Sequence, residues 1–258
     1  MPDFNLHTHT WRCHHAKGQD EDYVLEAIKN GYKAIGFSDH APYIFPGNYY
    51  SGFRIDLADA QDYADSIHAL QEKYRGTIDV LLGYEVEWYP DLIQQELAYL
   101  KTFDYDYLIC GQHYVGNEYE DWAGYTGHKT DNPADLERYI AQVIAAAQSG
   151  EIAYIAHPDI LHFTGDRGLY LERMHYLIQE LKKTDIPLEF NFLGYTDKRQ
   201  YPSDEFWKMV AQEGNRVVIG LDAHRPEVYA DKKNLKIMLE KMRTLGLTPI
   251  ENVNEILK

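Results

Sequence analysis

At 258 residues the chain has room for one large α/β domain or two small ones. Its 45% hydrophobic content excludes a disordered acidic polymer, and a formal charge of -16 without any basic cluster argues against nucleic acids and anionic membranes as partners. Cys13 and Cys110 make neither a CxxC pair nor a disulfide framework, no early apolar run resembles a signal peptide, and no stretch of about 18 apolar residues could span a bilayer, so the expected location is cytoplasmic.

From the amino terminus onward, short apolar runs alternate with amphipathic stretches. The pattern predicts strands near 4–8, 34–39, 80–86, 107–112, 153–156, 188–192 and 217–221. Helices are predicted over 23–30, 57–74, 92–100, 136–148, 172–182, 204–213 and 235–245, with apolar residues every three or four positions, as in Leu136, Ile140, Val143, Ile144 and Ala147. Gly31, Gly76, Gly150 and Gly214 follow helical patterns, where a left-handed cap suits glycine. Seven strand–helix repeats without a Pro/Gly-rich linker predict one α/β domain, 1–258, folded as a closed or nearly closed parallel barrel. A doubly wound open sheet is the structural alternative. The connections 41–56 and 115–132 are long, aromatic and glycine-containing, as substrate-covering loops are, or as variable surface decoration can be.

The histidines carry the functional signal. His7 and His9 end the first predicted strand on one side of it, and His40 ends the second. Glu85 ends the third, His113 the fourth and His157 the fifth, and Asp222 and His224 close the seventh. In a parallel barrel those strand ends meet at one mouth, so the set is a metal-ligand cluster by residue type and number. His15, just after the first strand, could fold back over the mouth, with His14 as the alternative, and Glu87 is the alternative to Glu85. A single His at a strand end is more often a hydrogen-bonded loop residue, but seven of the 12 histidines fall on one predicted rim beside two carboxylates. Charged groups packed that way need cations to hold them. His157 precedes Pro158, which predicts extended backbone there, and Gly83, Gly111 and Gly220 lie two residues before Glu85, His113 and Asp222, where a missing side chain allows close approach. His14, His68, His128, His162 and His175 are otherwise expected to be structural or on the surface.

The run Asn5-Leu6-His7-Thr8-His9-Thr10, followed by Cys13 and His15, resembles the opening motif of the PHP (polymerase and histidinol phosphatase) family. Ser38-Asp39-His40, Gly83-Tyr84-Glu85, Gly111-Gln112-His113, Ala156-His157-Pro158 and Gly220-Leu221-Asp222-Ala223-His224 resemble its later motifs, in order. Within that family the chain is most similar to the monofunctional histidinol-phosphatase branch, through its length, the Cys13-x-His15 step and Arg199-x-Tyr201-Pro202. Gln112, where related chains often carry a small residue, and Trp11-Arg12-Cys13 depart from the pattern. The resemblance implies a distorted (β/α)7 TIM-like barrel and two to three divalent ions of manganese, zinc, iron or cobalt. By motif, His7, His9, Glu85 and Asp222 would hold one ion, Glu85 would bridge to a second on His113 and His157, and His15, His40 and His224 would hold the third.

The activity so implied is hydrolysis of a small phosphorylated substrate, L-histidinol phosphate, in histidine biosynthesis, with Glu85, Asp222 and His224 as the catalytic candidates. Phosphate oxygens call for a guanidinium fork, and Arg199 after the sixth strand and Arg167 after the fifth are the candidates. For an amine and an imidazole on the substrate, the rim loop offers Glu118, Glu120, Trp122 and Tyr125. Two other readings use the same residues: a broader phosphoesterase acting on nucleotides or other small esters, and a non-enzymatic metal store or sensor.

Overall fold

All seven strands of the main sheet run parallel and follow one another in chain order, which is the topology of a barrel rather than of a doubly wound sheet. The computed structural model describes residues 2–257. In chain order the elements are β1 (Phe4–Asn5), α1 (Asp20–Lys29), β2 (Ala34–His40), α2 (Ala60–Tyr74), β3 (Asp79–Val86), α3 (Ile93–Leu100), β4 (Tyr107–Cys110), β5 (Tyr114–Val115), β6 (Gly124–Tyr125), α4 (Pro133–Gln148), β7 (Tyr154–Ile155), α5 (Arg167–Thr184), β8 (Leu188–Asn191), α6 (Phe192–Thr196), α7 (Asp204–Glu213), β9 (Val217–Gly220) and α8 (Lys232–Thr244). The sheet order is β1-β2-β3-β4-β7-β8-β9. A parallel bridge between Thr8 and Ala223 joins its two edges, with His9 N donating to Ala223 O (3.0 Å) and Ala223 N to His7 O (3.1 Å).

Closure at that seam depends on Asn5. Its Oδ1 accepts from Leu221 N at 2.8 Å and from His7 N at 3.3 Å, and its amide donates to Tyr229 Oη at 2.8 Å. Side-chain bonds replace the ladder there, which is why β1 is shorter than the 4–8 pattern predicts.

Alternation along the strands makes two cores. Ala34, Tyr107, Ile109, Tyr154 and Val218 point into the barrel, whereas Ile35, Phe37, Leu108, Cys110, Val217 and Ile219 point out against the helices. Ile250 and Ile256 pack into the inner cluster from the strands' starting end, and Ile250 N donates to Val217 O at 2.7 Å. The inward positions at the finishing ends are polar, as where His40 stands beside Glu85 in register. One end is thus plugged with hydrocarbon and the other is lined with ligand-type side chains.

Three further departures from the sequence pattern bear on the candidate site. The 115–132 connection carries a small antiparallel pair, Tyr114 opposite Tyr125 and Val115 opposite Gly124, because it folds back on itself at the mouth. Helix α6 follows β8 directly, with Asn191 capping Gly194 N at 2.7 Å. Helix α5 starts at Arg167 rather than 172, because Asp166 caps Leu169 N at 2.7 Å. Among the described residues no helix is long and apolar enough to cross a membrane.

Candidate metal centre and active site

Glu85, fully buried at the end of β3, is the centre of the polar mouth. Its Oε1 lies 3.0 Å from His157 Nε2, 3.6 Å from His7 Nε2 and 3.8 Å from His113 Nε2. Its Oε2 lies 3.0 Å from His40 Nδ1 and 3.7 Å from His9 Nε2. Asp222 Oδ1 is 3.2 Å from His9 Nε2, 3.3 Å from His224 Nδ1 and 3.6 Å from His7 Nε2. His15 Nε2 reaches His224 Nε2 at 3.0 Å. All the residues proposed as ligands from sequence therefore meet at one place.

His14 does not join them. Its backbone is left-handed (φ 67°) and its Nε2 faces outward, 3.5 Å from Asp56 Oδ2, so His15 takes the inward position. Glu87 also lies outside the cluster's centre and accepts from His113 Nδ1 at 3.1 Å. Neither His157 nor Asp222 has the extended backbone expected of a strand end: φ is 29° and 51°. Left-handed backbone at residues other than glycine is strained, and here it falls on two cluster residues.

Carboxylates behind the cluster orient its rings. His7 Nδ1 donates to Glu189 Oε2 at 2.8 Å, His9 Nδ1 to Asp39 Oδ1 at 3.1 Å and His113 Nδ1 to Glu87 Oε1. Such partners fix the ring's tautomer and aim the other nitrogen at a metal. Two glycines make room for them. A Cβ at Gly111 would fall 1.7 Å from Glu85 Oε1, and one at Gly220 would fall 2.0 Å from Glu189 Oε2. Sequence reasoning missed Glu189, although a carboxylate inside the apolar 188–192 run was a visible signal.

The fit to cations follows from the ring nitrogens. With Nδ1 of His7 and His9 committed as donors, their Nε2 lone pairs face each other at 3.1 Å. His15 and His224 repeat the arrangement: each Nδ1 donates to a backbone carbonyl, Cys13 O at 2.6 Å and Asp222 O at 3.0 Å, and the two Nε2 atoms face each other. Facing lone pairs repel unless a positive charge lies between or beside them. His40 Nδ1 and Glu85 Oε2, both buried, lie 3.0 Å apart without the alignment of a hydrogen bond. Triads drawn from His7, His9 and Glu85, from His7, His157 and Asp222, and from His9, His40 and His224 each place their ligand atoms within 4.8 Å of one another.

The titration behaviour agrees. Burial would lower the pKa of His7, but Glu189, Asp222 and Glu85 outweigh it and push it up to about 10. Burial and the neighbouring His9 hold His40 down to about 3 against the pull of Glu85. Burial would raise Glu85, yet His113, His40 and His7 keep its carboxyl well below the usual range. Protons and divalent cations therefore compete for the same nitrogens.

A cavity of about 620 Å³ opens above the cluster, walled by Phe53, Tyr114, Tyr125, His128, Arg199 and Tyr201. Arg199 donates from Nη1 to Tyr201 Oη at 3.0 Å and from Nη2 to Asp197 Oδ2 at 3.1 Å, which leaves other guanidinium donors for a ligand. Arg167 is not brought here. As the first residue of α5 it pairs with Glu205 on the surface and borders a separate depression. Of the rim candidates only Tyr125 lines the cavity. Glu118 is buried against Arg54, Glu120 accepts from Asn117 N at 3.1 Å, and Trp122 stacks beneath the Arg138 guanidinium at 4.7 Å. His128, expected to be structural or on the surface, is on the cavity wall, its ring 5.2 Å from that of Tyr125.

Residues 5–192 match the PHP domain family, a span that contains the cluster from His7 to His157. The chain belongs to the PHP domain family. Among PHP relatives, the "Probable histidinol-phosphatase" of Deinococcus radiodurans is 30% identical over 234 residues, 85% of each chain. A protein of the same name from Schizosaccharomyces pombe is 22% identical over 97% of this chain and 90% of that one. The PHP barrel superposes on a crystal structure of histidinol phosphate phosphatase from Lactococcus lactis, complexed with zinc, L-histidinol and phosphate. The TM-score is 0.72 at 19% identity, covering 96% of this chain and 95% of that one.

Proposed function

We propose that this PHP chain, acting as one catalytic domain, is a metal-dependent phosphomonoesterase that hydrolyses L-histidinol phosphate to L-histidinol and phosphate. The observation that carries the reading is the double pairing of facing imidazole nitrogens around Glu85 and Asp222, beneath a cavity walled by an arginine and by the rings of Phe53, Tyr114, Tyr125 and Tyr201. The names and bound molecules of the relatives support the same substrate.

The residues would hold two to three divalent ions of manganese, zinc, iron or cobalt: His7, His9, Glu85 and Asp222 one, His113 and His157 with Glu85 a second, and His15, His40 and His224 a third. Bound there, such ions supply positive charge for phosphoryl oxygens and make water acidic enough to ionise at neutral pH. Glu85 turns Oε1 toward His7, His113 and His157 and Oε2 toward His9 and His40, so its carboxylate would be shared between ions. Glu189, Asp39 and Glu87 hold the rings of His7, His9 and His113 in place through the reaction. Asp222, held well below the usual carboxylate range against burial by His7 and His9, stays ionised and so can steady a cation. Arg199, held rigid by Tyr201 and Asp197, offers its remaining donors to phosphate oxygens as their charge grows.

The alcohol half suits the other wall. Phe53, Tyr114 and Tyr125 offer flat faces to an imidazole, and a surface of net charge -16 favours a small ester with an amine over a polynucleotide. The buried, unpaired thiols of Cys13 and Cys110 fit work in the cytoplasm.

Chelated protein, verified to be free of metal, is expected to have no phosphatase activity and to regain it with manganese, zinc, iron or cobalt. Restored protein should prefer histidinol phosphate in a panel with nucleotides and aryl phosphates. Full activity without metal would end the proposal. Equal rates across the panel would replace it with a broad phosphoesterase, and metal binding without turnover would point to a store or sensor.

A further inference from the structure

Arg54 is a full positive charge buried at 2% exposure in the loop after β2, and nothing in the proposed chemistry uses it. Its guanidinium is saturated from three directions. Nη1 donates to Glu87 Oε2 and Nη2 to Glu87 Oε1, at 3.0 and 3.3 Å. Nη2 also donates to Glu118 Oε2, and Nη1 and Nε donate to Ala41 O at 3.1 Å and Ser51 Oγ at 3.0 Å. Phe53 and Tyr43 flank it at 4.4 and 5.1 Å.

Each partner belongs to a different part of the mouth. Ala41 and Ser51 belong to the 41–56 connection that inserts Phe53 into the cavity wall, where its ring lies 5.0 Å from that of His40 and 6.0 Å from that of Tyr114. Glu118 belongs to the 115–132 connection that delivers Tyr125 and His128. Glu87 orients His113 at 3.1 Å. Burying a guanidinium is costly unless it is fully paired, and a planar fork can serve several acceptors at fixed angles where an ammonium cannot.

We infer that Arg54 is a positioning residue that locks the two cavity-forming loops to each other and, through Glu87, to the ring of His113. Removing it would leave Glu87 and Glu118 as two like charges buried side by side. Glu87 would then lose the angle that holds His113, and the two walls of the cavity would move independently.

The test compares whole-chain wild type, Arg54→Lys and Glu118→Ala by hydrogen–deuterium exchange on metal-free protein, by manganese titration and by steady-state kinetics. Arg54→Lys keeps the charge and loses the fork. Its amides in 41–56 and 115–132 should exchange about tenfold faster or more, with α5 and α8 unchanged. Its manganese affinity should fall about 10- to 100-fold, as for other partners of ligating histidines. Glu118→Ala should loosen 115–132 and, through the lost bond from Tyr49, the tip of 41–56, raising KM with kcat and manganese affinity kept. A folded Arg54→Lys with wild-type loop exchange and manganese affinity would overturn the inference. If Arg54→Lys failed to fold, unchanged exchange of 115–132 in Glu118→Ala would overturn it. The manganese arm rests on the metal-dependent reading above, whereas the exchange arm does not. Wild type that bound no manganese would sink that reading and leave the exchange comparison to judge Arg54.

Discussion

His7 Nδ1 and Glu189 Oε2 lie 2.8 Å apart, both side chains without solvent contact, inside the barrel, joining the end of the first strand to the sixth. The bond fixes one histidine's tautomer from a strand remote in sequence. Glu189→Gln keeps the shape and removes the charge. Metal affinity is expected to fall about tenfold or more, read by metal titration, with the fold intact by circular dichroism. Affinity unchanged from wild type would show that Glu189 does not tune His7.

Gly111 is held small by the carboxylate it faces. In Gly111→Ala the new methyl would lie 1.7 Å from Glu85 Oε1, and Glu85 is wedged among five histidines. The expected cost is about 1–3 kcal/mol of stability from overpacking, together with a loss of bound metal measured by elemental analysis. A variant as stable and as metal-rich as wild type would contradict this geometry.

The two arginines picked out from sequence should now behave differently. Arg199→Ala is expected to lower kcat/KM by about 10²- to 10³-fold with metal content unchanged, because the residue lines the cavity. Arg167→Ala removes only an exposed pair with Glu205, so its kinetics and Tm should stay near wild type. A large kinetic defect in Arg167→Ala would mean that α5 approaches the mouth during turnover.

Glu96 supplies a pH test away from the cluster. It is buried on α3 with Oε1 unpartnered, and burial holds its pKa well above the ordinary 4.5, against the pull of Arg54. A raised folded pKa means that the stability carried by the neutral acid is complete below about pH 4.5 and is lost as pH climbs toward the folded value. Glu96→Gln stays neutral throughout. Its Tm relative to wild type should therefore rise in calorimetry as pH climbs above about 4.5. A difference independent of pH would show that Glu96 is not protonated in the folded protein.

How much was legible in the sequence depends on whether the signal was local. His7 and His9 two apart, or Asp222 and His224 two apart, are readable because a strand's period of two projects both side chains to one side. Arg167 misled because a helix start moved by an aspartate cap converts a loop arginine into a surface one. His157 misled in its backbone, since the bias set by Pro158 is statistical and the packing of the mouth overrode it. Glu189 showed only as a carboxylate inside an apolar run and Arg54 not at all, because the partners that give them a role lie 182 residues away for Glu189, and 33 and 64 away for Arg54.

By itself the sequence determined the alternation of strand and helix and the ligand types at the strand ends, since both follow from periodicities a few residues long. It thereby set the chemistry available to the chain. Only the tertiary structure decided which histidine of the pair His14 and His15 faces inward, which arginine reaches the cavity, and which carboxylates aim the rings. Those choices are settled by barrel closure at Thr8 and Ala223 and by the space left at Gly111 and Gly220, contacts between segments that no local pattern encodes.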